Sequence, residues 1–369
     1  MKLRILGIRG VPAAHGGFET FAEYLALHLV ARGWKVVVYC QEDGEGATWT
    51  DEWRGIERVH ISVAQAGPAG TIVFDWKSTL HAANAGEPCL VLGYNTAVFV
   101  ALLRARGVKT VINMDGIEWA RAKWGRVAKL WFWLNDWAGC WLGGHLVADH
   151  PQIKQHLATR TKESRITMIP YGAEPVDAAD LKPLEQWSLV PSEFLTVIAR
   201  AEPENSLLEI VQGFSAQPRG VKLVVLGNYD KAHAYQRSVL DAASAEVVFT
   251  GAVYDKTIVQ SLRYHSLAYV HGHQVGGTNP SLVEALGASN AIIAHDNRFN
   301  RWVAGDGAVY FSDAASFSSV LQDLLEAPAS RAALSAASRA RFDAEFTWPA
   351  VLDQYEELLL ATTQAASPR

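Results

Sequence analysis

Short β-branched, apolar runs alternate with longer amphipathic stretches along almost the whole chain, stop once, and then resume. The first set is "LRILGI" (3–8), "KVVVYC" (35–40), "ERVHISV" (57–63), "PCLVLG" (88–93), "KTVINM" (109–114), "HLVAD" (145–149) and "RITMI" (165–169). Strand-length runs separated by helix-length segments predict a parallel sheet, because each crossover is a helix that must pack on a sheet face. The stretch "FETFAEYLALHLVARG" shows the helical period: Phe21, Leu25 and Leu29 share one face, and Gly33 is a good stop. The alternation breaks at "PYGAEPVDAADLKPLEQWSLVPSE" (170–193), which is rich in proline and acidic residues and has no period. It restarts with "FLTVIAR" (194–200), "KLVVLG" (222–227), "EVVFTG" (246–251), "LAYV" (267–270), "AIIAH" (291–295) and "AVYF" (308–311). The expectation is an α/β protein of two Rossmann-like domains, residues 1–170 and 194–345, joined by a linker at 171–193. Their parallel sheets would face each other across a cleft, with ligands outside the carboxyl ends of the strands.

Composition narrows the classes. At 369 residues the chain exceeds what one core usually supports. With 49% hydrophobic and 19% charged residues it is an ordinary globular sequence, and a net charge of -5 gives no ground for a nucleic-acid partner. Cys40, Cys89 and Cys140 are widely spaced inside apolar runs, so they read as reduced core residues, supporting neither disulfides nor a metal site. "MKLRILGIRGVP" reads as a first strand, not a signal peptide. The one membrane-span candidate, "LWFWLNDWAGCWLGGHLVA" (130–148), is interrupted by Asn135, Asp136, a glycine pair and His145, whereas a span needs about 20 nearly uninterrupted apolar residues. A cytoplasmic protein is expected, with contact at the inner face of the plasma membrane left open.

Three segments carry candidate chemistry. In "GIRGVPAAHGGFET" the glycines do not fit the dinucleotide fingerprint, although Glu42 and Asp43 stand where a ribose-binding acid would be; an NAD site is poorly matched. Gly16 and Gly17 directly before a helix would let its N–H groups approach a diphosphate, and a plain strand-to-helix turn explains them equally well. In "VIARAEPENSLLEIVQGF", Arg200 follows a strand and could hold a diphosphate bidentately, or pair with Glu202 or Glu204 at the surface. In "HGHQVGGTNPSLVEALG" (271–287), Asn279 before Pro280 reads as N-cap and first helical residue. The free N–H groups of that helix would point at the Gly276-Gly277-Thr278 loop, and Glu284 one turn in would accept hydrogen bonds from a sugar hydroxyl.

On these segments, together with "NMDGIEWARAKWG", "IPYGAE" and the tail "FTWPAVLDQYEELL", the chain resembles the family 4 retaining glycosyltransferases of the GT-B fold, and among them the bacterial rhamnosyltransferases of surface-polysaccharide assembly. The motifs run in the family's order from residue 5 to residue 360. The resemblance implies a nucleotide-diphosphate sugar as donor, with the nucleotide on the C-terminal domain and the acceptor on the N-terminal one. It implies Glu284 on a ribose or deoxyribose hydroxyl, Arg200 on the diphosphate, Gly276, Gly277, Thr278 and Asn279 on the donor sugar and phosphate, and Gly16 and Gly17 on the diphosphate. It also implies no metal or other cofactor, and a last helix (346–369) that crosses back to the first domain. The chain departs from the pattern at Gly276, where many members carry a glutamate, and at Asn205, where many carry a lysine; both departures bear on the donor's identity. Where many members place a histidine near the reacting sugar, this chain has Asp115, either bonding a hydroxyl or acting as base, or capping a loop beside Gly116. His271 reads as a packing residue, while His273 either faces the sugar or packs.

The segment "EWARAKWGRVAKLWFWLNDWAGCWLGG" (118–144) holds six of the 13 tryptophans. On a helical wheel Trp119, Trp124, Val127, Leu130, Trp131, Leu134 and Ala138 form an apolar arc expected in the core. Arg121, Arg126 and Lys129 lie opposite with Phe132 and Trp133, an arrangement suited to a lipid headgroup surface or a lipid-diphosphate acceptor, or to a buried helix with snorkelling cations. The expected activity is therefore transfer of a sugar, best matched by rhamnose from dTDP-rhamnose, to a lipid-linked saccharide. The rivals are another nucleotide sugar, a UDP-sugar epimerase, and a non-catalytic nucleotide-sugar-binding protein.

Overall fold

The structure, a computed structural model, describes residues 1–14, 16–121 and 123–364. His15 and Ala122, inside two of the quoted motifs, and residues 365–369 of the expected last segment lie outside the described residues. The chain divides into two compact units: Met1–Tyr171 with the chain from Trp348 onward, and Gly172–Thr347.

Unit 1 contains β1 (Lys2–Leu6), α1 (Gly17–Ala31), β2 (Lys35–Asp43), β3 (Trp49–Trp53), β4 (Ile56–Val63), α2 (Gly67–Ala85), β5 (Cys89–Leu92), α3 (Val100–Ala105), β6 (Thr110–Asn113), α4 (Arg126–Leu142), β7 (His145–Ala148), α5 (Pro151–Ala158) and β8 (Ile166–Met168). The sheet order is β3-β4-β2-β1-β5-β6-β7-β8, and Ile5 at its centre lies opposite Val38 on one side and Leu90 on the other. Every pairing is parallel except β3 with β4. That antiparallel edge strand departs from the all-parallel expectation. Its cause is the two-residue turn Arg54-Gly55, where both φ angles are positive (51° and 82°), the geometry that folds a tight hairpin.

Unit 2 contains β9 (Phe194–Ile198), α6 (Leu207–Ser215), β10 (Lys222–Leu226), α7 (Ala234–Asp241), β11 (Val247–Gly251), α8 (Lys256–Tyr264), β12 (Ala268–His271), α9 (Pro280–Gly287), β13 (Ile292–His295), α10 (Arg298–Ala304), β14 (Ala308–Phe311), α11 (Ala314–Glu326) and α12 (Pro328–Glu345). Its six parallel strands run in the order β11-β10-β9-β12-β13-β14. Residues 172–193 belong to this unit instead of standing apart as a linker. Leu184 and Leu189 are buried against Phe194, Val224 and Leu262, and Ser261 Oγ donates to the Asp180 carbonyl at 2.7 Å.

The chain then returns to unit 1 as α13 (Trp348–Gln364). Its Trp348 stacks on Tyr24 at 4.7 Å and its Tyr355 meets Phe21 at 4.6 Å, filling the apolar face of α1. Full burial of side chains of this kind contributes about 1.5–3 kcal/mol each. Among the described residues no helix is long and apolar enough to cross a membrane.

α4 corrects the wheel drawn from the sequence. Residues 118–120 form a separate short 3-10 turn, so Trp119, Arg121 and Trp124 are not on this helix, which begins at Arg126. Three of the residues placed in the core are outside, with Val127 85% exposed, Leu130 57% and Leu134 47%, while Trp119, Trp124, Trp131 and Ala138 are half-buried. The buried face is Asn135, Asp136, Gly139 and Cys140. Small and hydrogen-bonded polar groups win it because the helix sits close: a Cβ on Gly139 would come within 2.9 Å of Met114. Asn135 Oδ1 accepts from the Val98 amide at 3.0 Å, and Asp136 takes the Trp119 indole (2.7 Å), His156 (2.9 Å) and Arg160 (2.6 Å).

Candidate functional site

In an open parallel sheet the ligand position is where the strand order reverses, because there two neighbouring loops diverge to opposite faces. In unit 2 that point lies between β9 and β12, and the loops leaving them carry Arg200 and residues 272–279. The two loops are tied together. The Gln274 amide donates to the Glu204 carbonyl and its Nε2 to Ser206 Oγ, both at 2.9 Å. The approach is so close that a Cβ on Gly272 would lie 2.1 Å from the Asn205 carbonyl oxygen. Asn205 is itself buried and donates to the Arg200 carbonyl at 2.8 Å, so the residue standing in for a lysine shapes the Arg200 loop.

Arg200 is exposed, and among the described residues its guanidinium has no ion pair, so the surface pairing with Glu202 or Glu204 does not form. Asn279 caps α9, accepting from the Ser281 amide at 3.0 Å, with Pro280 as first helical residue. Gly276 has φ 138° with open space around it, a conformation that L side chains rarely adopt, and Gly277 and Thr278 complete the turn. Thr278 is buried. His273 lies at the edge of the loop, stacked on His271 at 4.4 Å, while its carbonyl accepts from Asn297 and Asn300. His271 is fully enclosed, and burial holds its ring in the neutral form, well below the usual imidazole range.

Glu284 follows one turn into α9, and here the structure adds a partner that the sequence did not signal. Arg263, buried at the end of α8, lies 2.5 Å from Glu284 Oε2, while 40% of the Glu284 side chain stays exposed. The pair orients the carboxylate and leaves room for it to accept a further hydrogen bond.

Unit 1 reverses between β1 and β5. Gly16 is the extended N-cap of α1 and Gly17 its first residue, but Glu19 in the first turn places a carboxylate at that terminus, which weakens its attraction for an anion. Glu19 and Glu23 instead hold the preceding loop, accepting from the Arg9 and Ala13 amides at 3.4 and 2.7 Å. Asp115, just past β6, adopts the left-handed conformation (φ 53°), and its amide donates to Asn113 Oδ1 at 2.9 Å. Burial, reinforced by the nearby Glu118, pushes its carboxyl up to about 6 against the opposing Gly116 amide. A carboxyl near neutrality in strained backbone can exchange a proton as well as cap a loop.

Of the four acceptor or membrane candidates, Arg121 is paired with Glu118 at 2.6 Å, Arg126 is exposed at the start of α4, Lys129 is half-buried and Trp133 is exposed against Trp137. Among the described residues one group could offer metal ligands by distance, His28, Asp353 and Glu356. Arg32 already sits 2.5 Å from Asp353 and 2.9 Å from Glu356, so the cluster reads as an ionic tie between α1 and α13.

With both edges described, comparison with known proteins separates architecture from chemistry. Sucrose-phosphate synthase from Thermosynechococcus elongatus superposes with a TM-score of 0.81 at 17% identity, covering 99% of this chain and 100% of that one. The fold is GT-B. Trehalose 6-phosphate synthase from Burkholderia multivorans shares it (TM-score 0.78, 13% identity, 100% of this chain and 99% of that one). So does the HepE protein of Anabaena, whose structure is a complex with UDP (0.76, 12%, 98% and 100%). The pattern of a domain of unknown function, DUF1972, matches residues 1–174. No curated protein sequence matches the chain. In GT-B terms, unit 1 is the N-terminal domain closed by the last helix, and unit 2 the C-terminal domain with the reversal point between β9 and β12.

Proposed function

We propose that the protein is a glycosyltransferase that takes its sugar from a nucleotide-diphosphate donor held at the β9/β12 edge of unit 2. The observation that carries this is the unpaired Arg200 on a loop hydrogen-bonded to the glycine-rich entry of α9. A guanidinium and a helix N-terminus beside open glycine backbone suit a diphosphate. Glu284, fixed by Arg263, is placed for a ribose or deoxyribose hydroxyl. The GT-B relatives add support, since solved structures include HepE with UDP and an Escherichia coli trehalose-6-phosphate protein with UDP-2-fluoroglucose.

The finer reading is a retaining, metal-independent transfer of rhamnose from dTDP-rhamnose. Same-face attack would let the departing diphosphate take the acceptor proton, while Arg200 and the α9 dipole stabilise the charge developing on it. Gly276 supports a deoxy sugar: its backbone conformation disfavours the glutamate found in many family members, which leaves one fewer carboxylate for a sugar hydroxyl. The acceptor is a lipid-linked saccharide on unit 1, with Asp115 at its hydroxyl and the α4 surface against the membrane.

A panel of dTDP-, UDP- and GDP-sugars incubated with bacterial lipid extract tests the reading. Sugar moving into the lipid fraction, with dTDP-rhamnose the best donor, is the expected result. Conversion of the free donor without transfer would make the protein an epimerase, and binding without turnover would make it a non-catalytic binder; either overturns the proposal.

A further inference from the structure

The carboxyl edge of unit 1 holds an open groove of about 890 Å³, in the size range of small-molecule sites. One wall is the start of α2 (Pro68, Thr71, Ile72) and the other the start of α4 (Val127, Trp131, Phe132). Asn95 and Thr96, just after β5, and Arg9, just after β1, place it at the sheet's reversal point. Its one acidic lining residue, Glu118, is already paired with Arg121 and accepts from the Trp124 indole.

Two further features describe the occupant. Ile72 and Val127, one on each wall, are exposed, and further exposed apolar residues follow along the same helices: Trp76 and Leu80 on α2, and Leu130, Leu134 and Trp141 on α4. Arg9 and Arg126 also line the groove, both exposed and, among the described residues, without ion pairs. The N-termini of α2 and α4 line the same groove with no side-chain cap, so first-turn N–H groups that lack a helical acceptor lie there. Apolar walls that include two unpaired cations complement a molecule with a long hydrocarbon chain and an anionic head.

We infer that this groove binds the hydrocarbon chain of a lipid phosphate, with the phosphate at Arg9 and Arg126. The inference rests on the transferase reading only for its biological role, in which the lipid phosphate carries the acceptor saccharide; the binding stands or falls by itself.

The test is calorimetric titration of the whole protein with hexyl, octyl, decyl and dodecyl phosphate below their micelle concentrations, and with inorganic phosphate. One molecule should bind per chain, with affinity rising roughly fourfold per methylene until the groove is filled. Thr71→Trp, which fills the groove, and Arg126→Glu, at an exposed position, should each weaken dodecyl phosphate at least tenfold. Inorganic phosphate binding as tightly as dodecyl phosphate, no saturable binding, or full-strength binding by both variants would each overturn the inference. Nucleotide-sugar binding by the same wild-type sample reports on the transferase reading alone, so the failure of one is distinguishable from the failure of the other.

Discussion

Replacing Gly272 by alanine probes how the unit 2 site is built. The added methyl would sit 2.1 Å from the Asn205 carbonyl oxygen and 2.7 Å from Ile210 Cδ1, where ordinary contact begins near 3.4 Å. The Ile210 terminus can rotate, but the Asn205 carbonyl is backbone, so the β9 and β12 loops must part by roughly 1 Å. Overpacking of this kind costs about 1–3 kcal/mol. The same displacement would stretch both Gln274 bonds, now 2.9 Å, and carry Arg200 away from the α9 entry. A shift of about 1 Å in a positioning group can cost on the order of 10²-fold. Scanning calorimetry should therefore show the unit 2 transition lowered, and isothermal titration should show nucleotide-diphosphate binding weakened by a larger factor than the stability change explains. Wild-type affinity together with an unshifted transition would refute the claim that these two loops are held in register by their close approach.

Asp115→Asn bears on a group whose folded-state pKa lies above its unfolded value. The native state then binds the extra proton, so the wild-type protein loses stability as pH rises from about 4 to about 6, and the loss persists above that. Asparagine tolerates the left-handed backbone, so the variant should gain stability at pH 7.5 and lose that gain at pH 4, while transfer falls; equal melting curves at both pH values would discount the buried carboxyl. Glu284→Ala removes the carboxylate partner of the buried Arg263, which should destabilise unit 2 by about 1–3 kcal/mol and weaken donor binding, whereas a variant that loses neither would contradict the paired role. Leu130→Asp with Leu134→Asp, on the exposed face of α4, should release the protein from anionic vesicles in sedimentation, and co-sedimentation equal to wild type would remove that face from the membrane contact.

The strand runs were readable because buried parallel strands leave near-continuous apolar stretches. The Asn279-Pro280 start of α9 was equally readable, because capping is local chemistry. β3 was missed: "WTDEW" is polar, and its signal was the Arg54-Gly55 turn. The phase of α4 is not legible from apolarity, because its packed face is Asn135 and Asp136, whose partners Val98, His156 and Arg160 lie far along the sequence. Arg263 was invisible for the same reason: nothing near it in sequence announces a pairing with a residue on the next helix. Arg200 was found, but that it stands unpaired follows only from the tertiary arrangement of its loop.

The most direct measurement is the affinity of the wild-type protein and of Arg200→Ala for a panel of dTDP- and UDP-sugars by isothermal titration calorimetry. The wild type should bind a nucleotide sugar. The variant should bind it about 10- to 100-fold more weakly, the scale of a lost charged hydrogen bond, with an unchanged unit 2 melting transition, since Arg200 is exposed and, among the described residues, its guanidinium holds no ion pair. Wild-type protein that binds none of the panel, or a variant that binds as tightly as wild type, would contradict the account.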